Sequence, residues 1–505
     1  MTFSAEKLFS TEQVRAIDAR LISEGFASSF ELMERAGRQA FEAIEPMIRG
    51  HAQVAILCGT GNNGGDGWII GRELIRAGFS PQVFLIGEEV KIAGDARRAL
   101  GSFRAEGGTI SDTTELHQFI FSEDVLVIDA VIGSGFAGDL RAEHIDLATR
   151  LNESRSPVVA IDCPTGLDAD TGMPKPVAVK AVLTLTFIAY RQGFFTGESA
   201  DYTGAVQLCD LGIPASVLAD APHEARKICP GENIRLALKR KNNFHKGLGG
   251  HVLVVGGNSG LGGAGILAAE AALRIGAGKV TLASRASTVN AAIARCPALM
   301  AITIDDPQQL NALCDEATVI VVGPGLGQCD WAQNCLKQVL ASGSSMVIDA
   351  DALTLLAQGN EHLSEEEGWP VITPHPGEAA RLLGISTAEI GRDRFAAVRS
   401  LAKFANGTAL LKGAGTLVAS HQVRGGVGVC TRGNPYMATA GSGDVLSGLI
   451  AGLAAQGLSP VLATELAVYL HASAADERVA AHGRCLIATD IIDALPGAMN
   501  TWLDS

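Results

Sequence analysis

Aromatic residues and clustered positive charges are scarce in this chain, and each scarcity narrows what the protein can be. Phe, Trp and Tyr make up only 5% of the 505 residues, whereas 47% are hydrophobic and 59 residues are glycine. A core with few aromatic rings must be filled by small side chains, which lets helices and strands approach closely. Acidic residues outnumber basic ones by 54 to 40 and no long Lys/Arg run occurs, so we expect no nucleic-acid partner.

Long apolar runs and paired cysteines are also missing. No run of apolar residues is long enough to span a membrane, and the first helix-length segment carries Glu6, Glu12 and Asp18. We therefore expect neither export nor a membrane partner. The ten cysteines are scattered without a C-x-x-C pair, which argues against a disulfide framework or a zinc site and predicts a cytoplasmic protein.

Apolar segments of strand length alternate with helical patterns in both halves of the chain. The first half begins with helices, the first of them capped by Ser10 and Gln13, and then contains VAILCG, PQVFLIG, DVLVIDA, PVVAID and AVLTLTF. The second half contains HVLVVGG, ATVIVVG, SMVIDAD, PVITPHP and TALLKGAG. This alternation is typical of βαβ units and predicts an α/β fold with parallel sheets.

The composition changes in the middle of the chain. Between residues 211 and 244 three prolines interrupt a polar stretch that has no sustained period. A chain of this length is expected to contain two or three domains. We predict a first domain at residues 1–214, a linker at 215–229 and a second domain at 230–505.

Candidate ligand groups of the first half follow its strands. The loop GTGNNGG at residues 59–65 contains G-x-G-x-x-G, and Glu88 stands where a ribose-binding carboxylate would, although glycines crowd many strand-to-helix turns. Asn63, Asp129 and Thr165 would bring oxygen atoms together at the same edge. Such oxygens suit K⁺, Na⁺ or Mg²⁺, but turn residues that satisfy local backbone groups would give the same pattern.

The second half carries a pattern suited to phosphoryl transfer. In MATAGSGD, Gly441, Ser442 and Gly443 stand at a helix start and Asp444 lies just inside it. Backbone amides there can stabilise a transferring phosphoryl group while the carboxylate takes a proton, although an acidic first turn is also common on purely structural helices. Other strand ends carry further polar candidates, namely Lys412 in LLKGAGT and His375 and Glu378 in TPHPGE.

The ordered motifs of both halves resemble a known family. LMERAG, GTGNNGGDG, DAVIGSG, DCPTGLDADTG and GFFTGESADYTGAVQLCDLGIP, within residues 9–214, resemble the epimerase domain of the bifunctional NAD(P)H-hydrate repair enzymes. HKGLGGHVLVVGG, GPGLG, DADAL, TPHPGE, LKGAGT and GNPYMATAGSGD resemble the ADP- or ATP-dependent NAD(P)H-hydrate dehydratase. The resemblance implies a Rossmann-like N-terminal domain followed by a ribokinase-like C-terminal α/β domain. It also implies R/S epimerisation of hydrated NAD(P)H and ADP-dependent dehydration of the S form through phosphorylation of the C6 hydroxyl.

The resemblance further implies a set of site residues and cofactors. In the first domain the substrate would be bound by Asn62, Asn63, Gly64, Gly65, Asp66, Gly133, Ser134, Gly135, Phe136, Ala137, Gly138, Asp139 and the catalytic Asp162, with K⁺ held by Asn63, Asp129 and Thr165. In the second domain the hydrate would be bound by Ala264, Gly325, His375 and the catalytic base Asp444, with the amides of Gly441 to Gly443 as anion hole. The adenine nucleotide would be bound by Lys412, Gly413, Ala414, Gly415, Thr416 and Gly443. The phosphoryl donor would be ADP, with ATP as the alternative, and Mg²⁺ would accompany it.

Some positions depart from the family pattern, and other functions are compatible with the motifs. Thr165 replaces the usual Ser and keeps its hydroxyl, Tyr436 replaces a Gly, and Arg191 replaces a frequent Lys and cannot exchange a proton. A vitamin- or sugar-type kinase would share the second site, and the first half could instead be a nucleotide-sensing or assembly module. A dehydrogenase is disfavoured because no further catalytic domain remains. We also expect small-molecule partners and a homo-oligomer.

Overall fold

The computed structural model describes residues 6–136, 138–359, 363, 368–423 and 425–504, which divide into two units. One unit spans Lys7–Ala225, and the other contains residues 226–504 together with Glu6. Each unit has its own sheet and its own hydrophobic core. Within the described ranges, no helix combines the length and the apolar character needed to cross a membrane.

The first unit is built on a parallel sheet. Its strands, in spatial order, are Ile110–Ser111, Gln82–Leu85, Gln53–Cys58, Val125–Ala130, Val158–Ile161, Leu183–Phe187 and Ala205–Cys209. A two-residue strand, Lys7–Leu8, precedes the helices of this unit. The α-helices are Thr11–Ser23, Ser29–Ile48, Asn62–Arg76, Gly94–Ala105, Thr113–Gln118, Ala142–Glu153 and Ala215–Asp220, and the 3₁₀ helices are Glu89–Lys91, Gln192–Phe195 and Ser199–Asp201.

The central strand Gln53–Cys58 shows why this sheet is covered on both faces. Val54 and Ile56 pack into one hydrophobic core, whereas Ala55 and Leu57 pack into another. Because successive side chains of a strand point to opposite faces, an unbroken apolar run buries both faces under helices. The carboxyl ends of the parallel strands are thereby left as the place where polar loops collect.

The second unit has a larger mixed sheet. Its strands, in spatial order, include Val427–Val429, Leu417–Ser420, Thr408–Leu411, Pro370–Ile372, Met346–Ile348, Val319–Val322, His251–Val255, Lys279–Ser284 and Met300–Thr303. The first three pair antiparallel, and Thr408–Leu411 then joins the parallel remainder. The strand Ala225–Lys227 lies at the division between the units. The α-helices are Glu232–Leu238, Gly262–Arg274, Ala286–Arg295, Leu310–Glu316, Asp330–Ala341, Ala350–Ala357, Pro376–Leu383, Thr387–Arg392, Arg394–Ala405, Ser442–Ala455, Pro460–His482 and Ala488–Asp504, and the 3₁₀ helices are Lys246–Gly249, Pro307–Gln309 and Pro435–Met437.

Small residues let the central helices of the second unit pack at very short range. A Cβ atom added to Gly448, in helix Ser442–Ala455, would lie 2.1 Å from the carbonyl oxygen of Ala268 in helix Gly262–Arg274. Such a distance is sterically forbidden, so this contact requires glycine. Gly448 is therefore required by packing, and its close contact helps to hold the helix that starts at residue 442 in place.

The predicted α/β fold is confirmed, as is the capping box of Ser10 and Gln13 on helix Thr11–Ser23. The sheet of the first unit is parallel as predicted, and that of the second unit is parallel except for its antiparallel pairs at Leu417–Ser420. All the quoted strand segments contain strands. The strands that had not been predicted are Lys7–Leu8, Ile110–Ser111, Ala205–Cys209, Ala225–Lys227, Lys279–Ser284, Met300–Thr303 and Val427–Val429. Residues 215–229 were expected to be a linker, yet they contain a helix and a strand. These elements were missed because packing, and not a local pattern, holds them. Ala221 packs into the core of the first unit and Ile228 into the core of the second.

Candidate active sites

A cavity of about 560 Å³ lies in the first unit, lined by loops that follow several strands of its parallel sheet and by residues of its first two α-helices. The predicted residues that line it are Asn62, Asn63, Asp66, Gly133, Ser134, Gly135, Phe136 and Asp162. Gly64, Gly65, Gly138 and Asp139 do not line the cavity, and Ala137 lies outside the described residues. The structure therefore brings together most, but not all, of the side chains that the sequence had indicated.

Close packing accounts for Gly64 and Gly65, which do not line the cavity. A Cβ atom on Gly64 would lie 1.9 Å from the carbonyl oxygen of Gly59, and one on Gly65 would lie 2.6 Å from Cε of Met33. These contacts hold the loop against its neighbours so that helix Asn62–Arg76 starts at the cavity. No side chain caps this helix start, which leaves its first amides available to an anionic ligand.

The three proposed potassium ligands come from three strand ends. Asp129 is fully buried, and its carboxylate accepts hydrogen bonds from the Thr165 hydroxyl at 2.7 Å and the Thr165 amide at 2.8 Å. The buried side-chain amide of Asn63 has no hydrogen-bond partner among the described residues. A Cβ atom on Gly133 would lie 3.2 Å from Cγ of Asn63 and 2.7 Å from Oδ2 of Asp162, so Asn63 borders the same cavity.

These residues fit a monovalent cation. Burial raises the pKa of Asp129, against the opposing hydrogen bonds from Thr165, and a bound cation would offset this cost of burial. The orphaned oxygen of Asn63 supplies a further hard ligand. The described residues contain no cluster of three or more His, Cys, Asp or Glu side chains suited to a metal.

The Asp162 carboxylate is fixed by two neighbours at the cavity wall. Its Oδ2 accepts hydrogen bonds from the amide and the hydroxyl of Ser134, both at 2.7 Å, and its Oδ1 lies 3.3 Å from Nη2 of Arg191. The backbone of Asp162 has φ of 62°, a left-handed conformation that is costly for a residue with a side chain. Arg191 is itself buried and donates to the carbonyls of Phe187 and Ala189. It therefore acts as a fixed cation beside Asp162.

Asp18 and Arg191 are among the residues of this cavity that were not in the predicted binding set. Asp18 comes from helix Thr11–Ser23, and burial raises its pKa while Arg191 opposes the change. Burial also raises the pKa of Asp66 well above its usual range, and the charges of Asp162 and Asp18 add to the increase. The departure at position 191 was a usable signal, whereas Asp18 sits in an ordinary amphipathic helix pattern.

The second unit places a helix start where the sequence predicted one. Helix Ser442–Ala455 follows Gly441, which has φ of 86° and provides no side-chain cap. The amides of Gly443 and Asp444 have no acceptor among the described residues, whereas the Ser442 amide donates to the carbonyl of Thr439 at 3.3 Å. The Ser442 hydroxyl points inward, 3.3 Å from Nε2 of His471. Of the three amides expected to form the anion hole, Gly441 to Gly443, that of Ser442 is thus already engaged, whereas the amide of Asp444, which had not been expected there, is available.

Lys412 lies against the glycine of this helix start. A Cβ atom on Gly443 would lie 3.1 Å from Lys412 Nζ, and the same ammonium donates to Oδ1 of Asp349 at 2.6 Å. Burial acts to lower the pKa of Lys412, but the charges of Asp349 and Glu378 outweigh burial and the net change is upward. The loop that begins at Lys412 joins two antiparallel strands, so its predicted nucleotide-binding residues form the turn of a hairpin.

Asp444 has the protonation behaviour expected of a general base near neutral pH. Burial raises its pKa to about 7, the charge of Asp349 adds to this rise, and Lys412 opposes it. Burial and nearby charges, with no hydrogen bond among the described residues, act on the Asp444 carboxylate, so its oxygens are available to a substrate hydroxyl. A carboxylate with a pKa near the working pH is well matched to proton abstraction.

His375 and Glu378 have a structural role that the sequence left open. The His375 ring accepts a hydrogen bond from the amide of Gly377 at 3.0 Å, and Glu378 accepts one from the His375 amide at 2.8 Å. Together they form a capping box on helix Pro376–Leu383. The other ring nitrogen, Nε2, lies 3.4 Å from Oε1 of Glu378. Any ligand contact of His375 must therefore come from this second nitrogen.

Ala264 and Gly325, the other two predicted hydrate-binding residues, are neighbours. A Cβ atom on Gly325 would lie 3.0 Å from Cβ of Ala264 and 2.4 Å from the carbonyl oxygen of Leu261. The Gly325 carbonyl accepts a hydrogen bond from Asn258 at 2.7 Å. The two glycine-rich loops that follow strands His251–Val255 and Val319–Val322 thus meet at this point.

Three residues behind the second site were missed. Asp349 lies within the quoted DADAL motif, and Ser447 lies four residues after Gly443 on its helix, so both had a local signal. Arg394 donates to the Lys412 carbonyl at 3.2 Å, and burial lowers its pKa to about 10. Nothing in the local sequence pattern indicated Arg394.

The two sheets and their sites define a class of protein: a Rossmann-like nucleotide-binding domain followed by a ribokinase-like phosphoryl-transfer domain. Residues 29–193 match the family described as YjeF-related protein N-terminus, and residues 252–497 match NAD(P)H-hydrate dehydratase. The chain is 33% identical to a ribokinase-like superfamily protein from Enterococcus faecalis, with a TM-score of 0.50 over 54% of this chain and 95% of that chain.

Relatives that match over nearly the full length of the chain identify its family. The chain is 40% identical over 494 residues to the bifunctional NAD(P)H-hydrate repair enzyme Nnr of Coxiella burnetii, covering 98% of this chain and 99% of the relative. It is 36% identical over 475 residues to the protein of the same name from Escherichia coli K12, covering 93% and 90%. The chain belongs to the family of bifunctional NAD(P)H-hydrate repair enzymes.

Proposed function

We propose that this chain repairs hydrated NADH and NADPH with two catalytic domains. The first domain would exchange the R and S hydrates, and the second would dehydrate the S form at the expense of ADP. The observation that carries the second activity is Asp444, whose pKa is raised to about 7 by burial at a helix start with free amides beside Lys412. Family membership supports both activities.

The dehydration would proceed by phosphoryl transfer followed by elimination. Asp444 takes the proton of the C6 hydroxyl. At the same time the oxygen of that hydroxyl bonds to the terminal phosphorus of ADP, and the bond between this phosphorus and the oxygen of the leaving AMP breaks. The ring nitrogen lone pair then expels phosphate from C6. Loss of a proton from C5 forms the 5,6 double bond and restores NAD(P)H. Phosphate leaves far more readily than hydroxide, which explains the need for a donor.

The chain's own groups provide most of the charge compensation in this scheme. The amides of Gly443 and Asp444 face the transferring phosphoryl group, and Lys412 holds the nucleotide phosphates. Gly413, Ala414, Gly415 and Thr416 would form the rest of the nucleotide loop. Mg²⁺ on the donor phosphates would offset further charge.

In the first domain Asp162 would act at the reacting end of the hydrate. Arg191 and Ser134 hold its carboxylate, so Arg191 would orient that carboxylate. A guanidinium group is not suited to proton exchange. Asn63, Asp129 and Thr165 would hold K⁺ beneath the loop that carries Gly133. The ion would fix the loop and balance the Asp129 charge.

One assay tests the proposal. Hydrated NADH is supplied with Mg²⁺ and either ADP or ATP, and the return of reduced-nicotinamide absorbance is followed. We expect recovery with ADP as donor, and faster recovery with ATP would reverse the donor assignment. A stable phosphorylated product without recovered NADH would instead support a small-molecule kinase.

We predict that dehydration depends on the ionisation of Asp444. The pKa of this acid is raised, so its base form is lost as pH falls through about 7. The turnover rate should therefore level off above that pH and drop about tenfold for each pH unit below it. A pH–rate profile at saturating substrates measures this. A rate that is constant between pH 5 and 8 would remove Asp444 from the role of base.

We also predict that the two catalytic domains can be separated at residues 225 and 226. Fragment 1–225 should exchange the hydrates and fragment 226–505 should dehydrate the S form. The cut must spare Arg226, because its guanidinium lies 2.6 Å from the fully buried carboxylate of Glu465. A fragment starting at residue 231 should melt at a lower temperature, since it leaves that carboxylate buried without its cation.

Two outcomes would contradict the separation. Aggregation of both fragments would show that the domains depend on each other for folding. If fragment 1–225 binds the hydrate without exchanging R and S forms, the first half is a sensing or assembly module.

Assembly and compartment are further parts of the proposal. All ten cysteines are free thiols, which supports a reducing compartment, and we place the protein in the cytoplasm. We also propose a homo-oligomer, which sedimentation velocity of the full chain would detect.

A further inference from the structure

Asp349 is an almost fully enclosed carboxylate behind the second site. Only 1% of its surface is exposed, and it stands where strand Met346–Ile348 ends and helix Ala350–Ala357 begins. A carboxylate in such a place is costly unless each oxygen is paired. The groups that pair with the two oxygens therefore indicate the role of Asp349.

Both oxygens of Asp349 are paired with distant parts of the chain. Oδ1 accepts from the Lys412 ammonium at 2.6 Å and from the Ala350 amide at 2.9 Å, while Oδ2 accepts from the Ser447 hydroxyl at 2.6 Å. Ser447 belongs to the helix that starts with Ser442 and Gly443. The carboxylate thus connects the nucleotide hairpin to the phosphoryl-binding helix.

The backbone next to Asp349 is strained, and this strain also helps to fix the carboxylate. Ala350 has φ of 49°, which a residue with a Cβ atom rarely adopts. Such strain persists only where the surroundings enforce it. Here it turns the first helical amide onto Oδ1 of Asp349 and fixes the direction of the carboxylate.

Asp349 and Ser447 are too deeply buried to touch a ligand, whereas 21% of the Lys412 side chain is exposed. We propose that Asp349, oriented by Ser447, is a positioning residue that holds the Lys412 ammonium against Gly443 and so sets how tightly the second site binds the donor phosphate. This inference rests on the proposed function, because it takes the donor to be ADP.

The pair also sets the electrostatics around the general base. The charged groups that face Asp444 are Asp349, Asp351 and Glu378, which raise its pKa, and Lys412, which lowers it. Removing the Asp349 charge takes away one source of the rise. It also leaves the Lys412 charge, which lowers the pKa of Asp444, without its neighbouring negative charge. The pKa of Asp444 should therefore fall.

The test is Asp349→Asn in the full-length enzyme, a change that keeps shape and removes charge. The KM for ADP should rise by about tenfold to a hundredfold, the usual cost of losing a hydrogen bond to a charged group. The acid limb of the pH–rate profile should move to lower pH. A KM and a profile equal to those of the parent would overturn the proposal.

Asp351→Asn is the matched control. Asp351 lies in helix Ala350–Ala357, which begins directly after Asp349, and its charge also raises the pKa of Asp444. Its Oδ2 accepts a hydrogen bond from the Gly327 amide, and it makes no hydrogen bond or ion pair with Lys412. This variant should move the acid limb in the same direction while the KM for ADP stays at the parent value. An equal rise in KM in both variants would show a general charge effect and contradict the positioning role.

A double-mutant cycle shows whether Asp349 acts through Lys412. Once Lys412→Met is present, Asp349→Asn should add little to the KM for ADP, because the group that it positions is gone. Fully additive effects would overturn the proposal. If Asp349→Asn does not fold, judged by thermal melting, Ser447→Ala decides: a smaller rise in KM supports the proposal and an unchanged KM overturns it.

The proposed function can fail separately from this inference. If the parent enzyme does not dehydrate the hydrate, the same cycle is measured as the dissociation constant for ADP by calorimetry. Non-additive weakening of ADP binding would still support the positioning role. Parent-like binding in Asp349→Asn would refute it.

Discussion

Asp444→Asn should reduce the dehydration rate by about a hundredfold to ten-thousandfold while the protein stays folded. The Asn side chain keeps the shape of Asp444 but cannot accept the proton of the C6 hydroxyl. Because burial raises the pKa of Asp444 to about 7, its ionised form costs the folded protein stability near neutral pH, so the uncharged Asn should not lower the free energy of unfolding. ADP binding should persist because Lys412 and the Gly443 amide remain.

Two controls make this result specific. Asp315→Asn makes the same chemical change on an exposed position of helix Leu310–Glu316 and should leave both activities at the parent level. R/S exchange by the first domain should continue in Asp444→Asn. If that variant restores NADH at nearly the parent rate and melts normally, Asp444 is only a helix-start residue and the mechanism is wrong.

Asp129→Ala should abolish the potassium dependence of R/S exchange and lower its rate by about a hundredfold. The variant removes the one carboxylate of the proposed ion site, and misplacement of the substrate loop by a small distance is enough for a loss of this size. It also leaves the Thr165 amide and hydroxyl without their acceptor, which destabilises the fold by about 1–3 kcal/mol for each group. Exchange is measured in buffers that differ only in the monovalent cation.

Asn63→Ala separates ion binding from this structural loss. The Asn63 side chain makes no hydrogen bond to the described residues, so its removal should leave the melting temperature in potassium-free buffer nearly unchanged. It should still weaken the activation by potassium. Equal exchange rates of the parent enzyme with and without potassium and sodium would falsify the ion site.

Most of the fold could be predicted because its information is local. The run from Val54 to Cys58 is apolar on both faces, and such runs followed by helical patterns form parallel sheets covered on both sides. The capping box of Ser10 and Gln13 needs only a spacing of three residues. The weakly patterned residues 215–229 were harder, because packing rather than local propensity gives them their helix and strand.

The sequence by itself determined the α/β fold, the glycine-led helix starts and the strand ends where ligand groups collect, since each depends on residues close together in the chain. Tertiary structure alone decided which charges meet. Asp349 and Lys412 are 63 residues apart, Asp349 and Ser447 are 98 apart, and Asp162 and Arg191 are 29 apart. The pKa of a group such as Asp444 depends on burial and on charges a few ångströms away. Those charges come close together only after the sheets and helices have packed, so no local sequence pattern could indicate them.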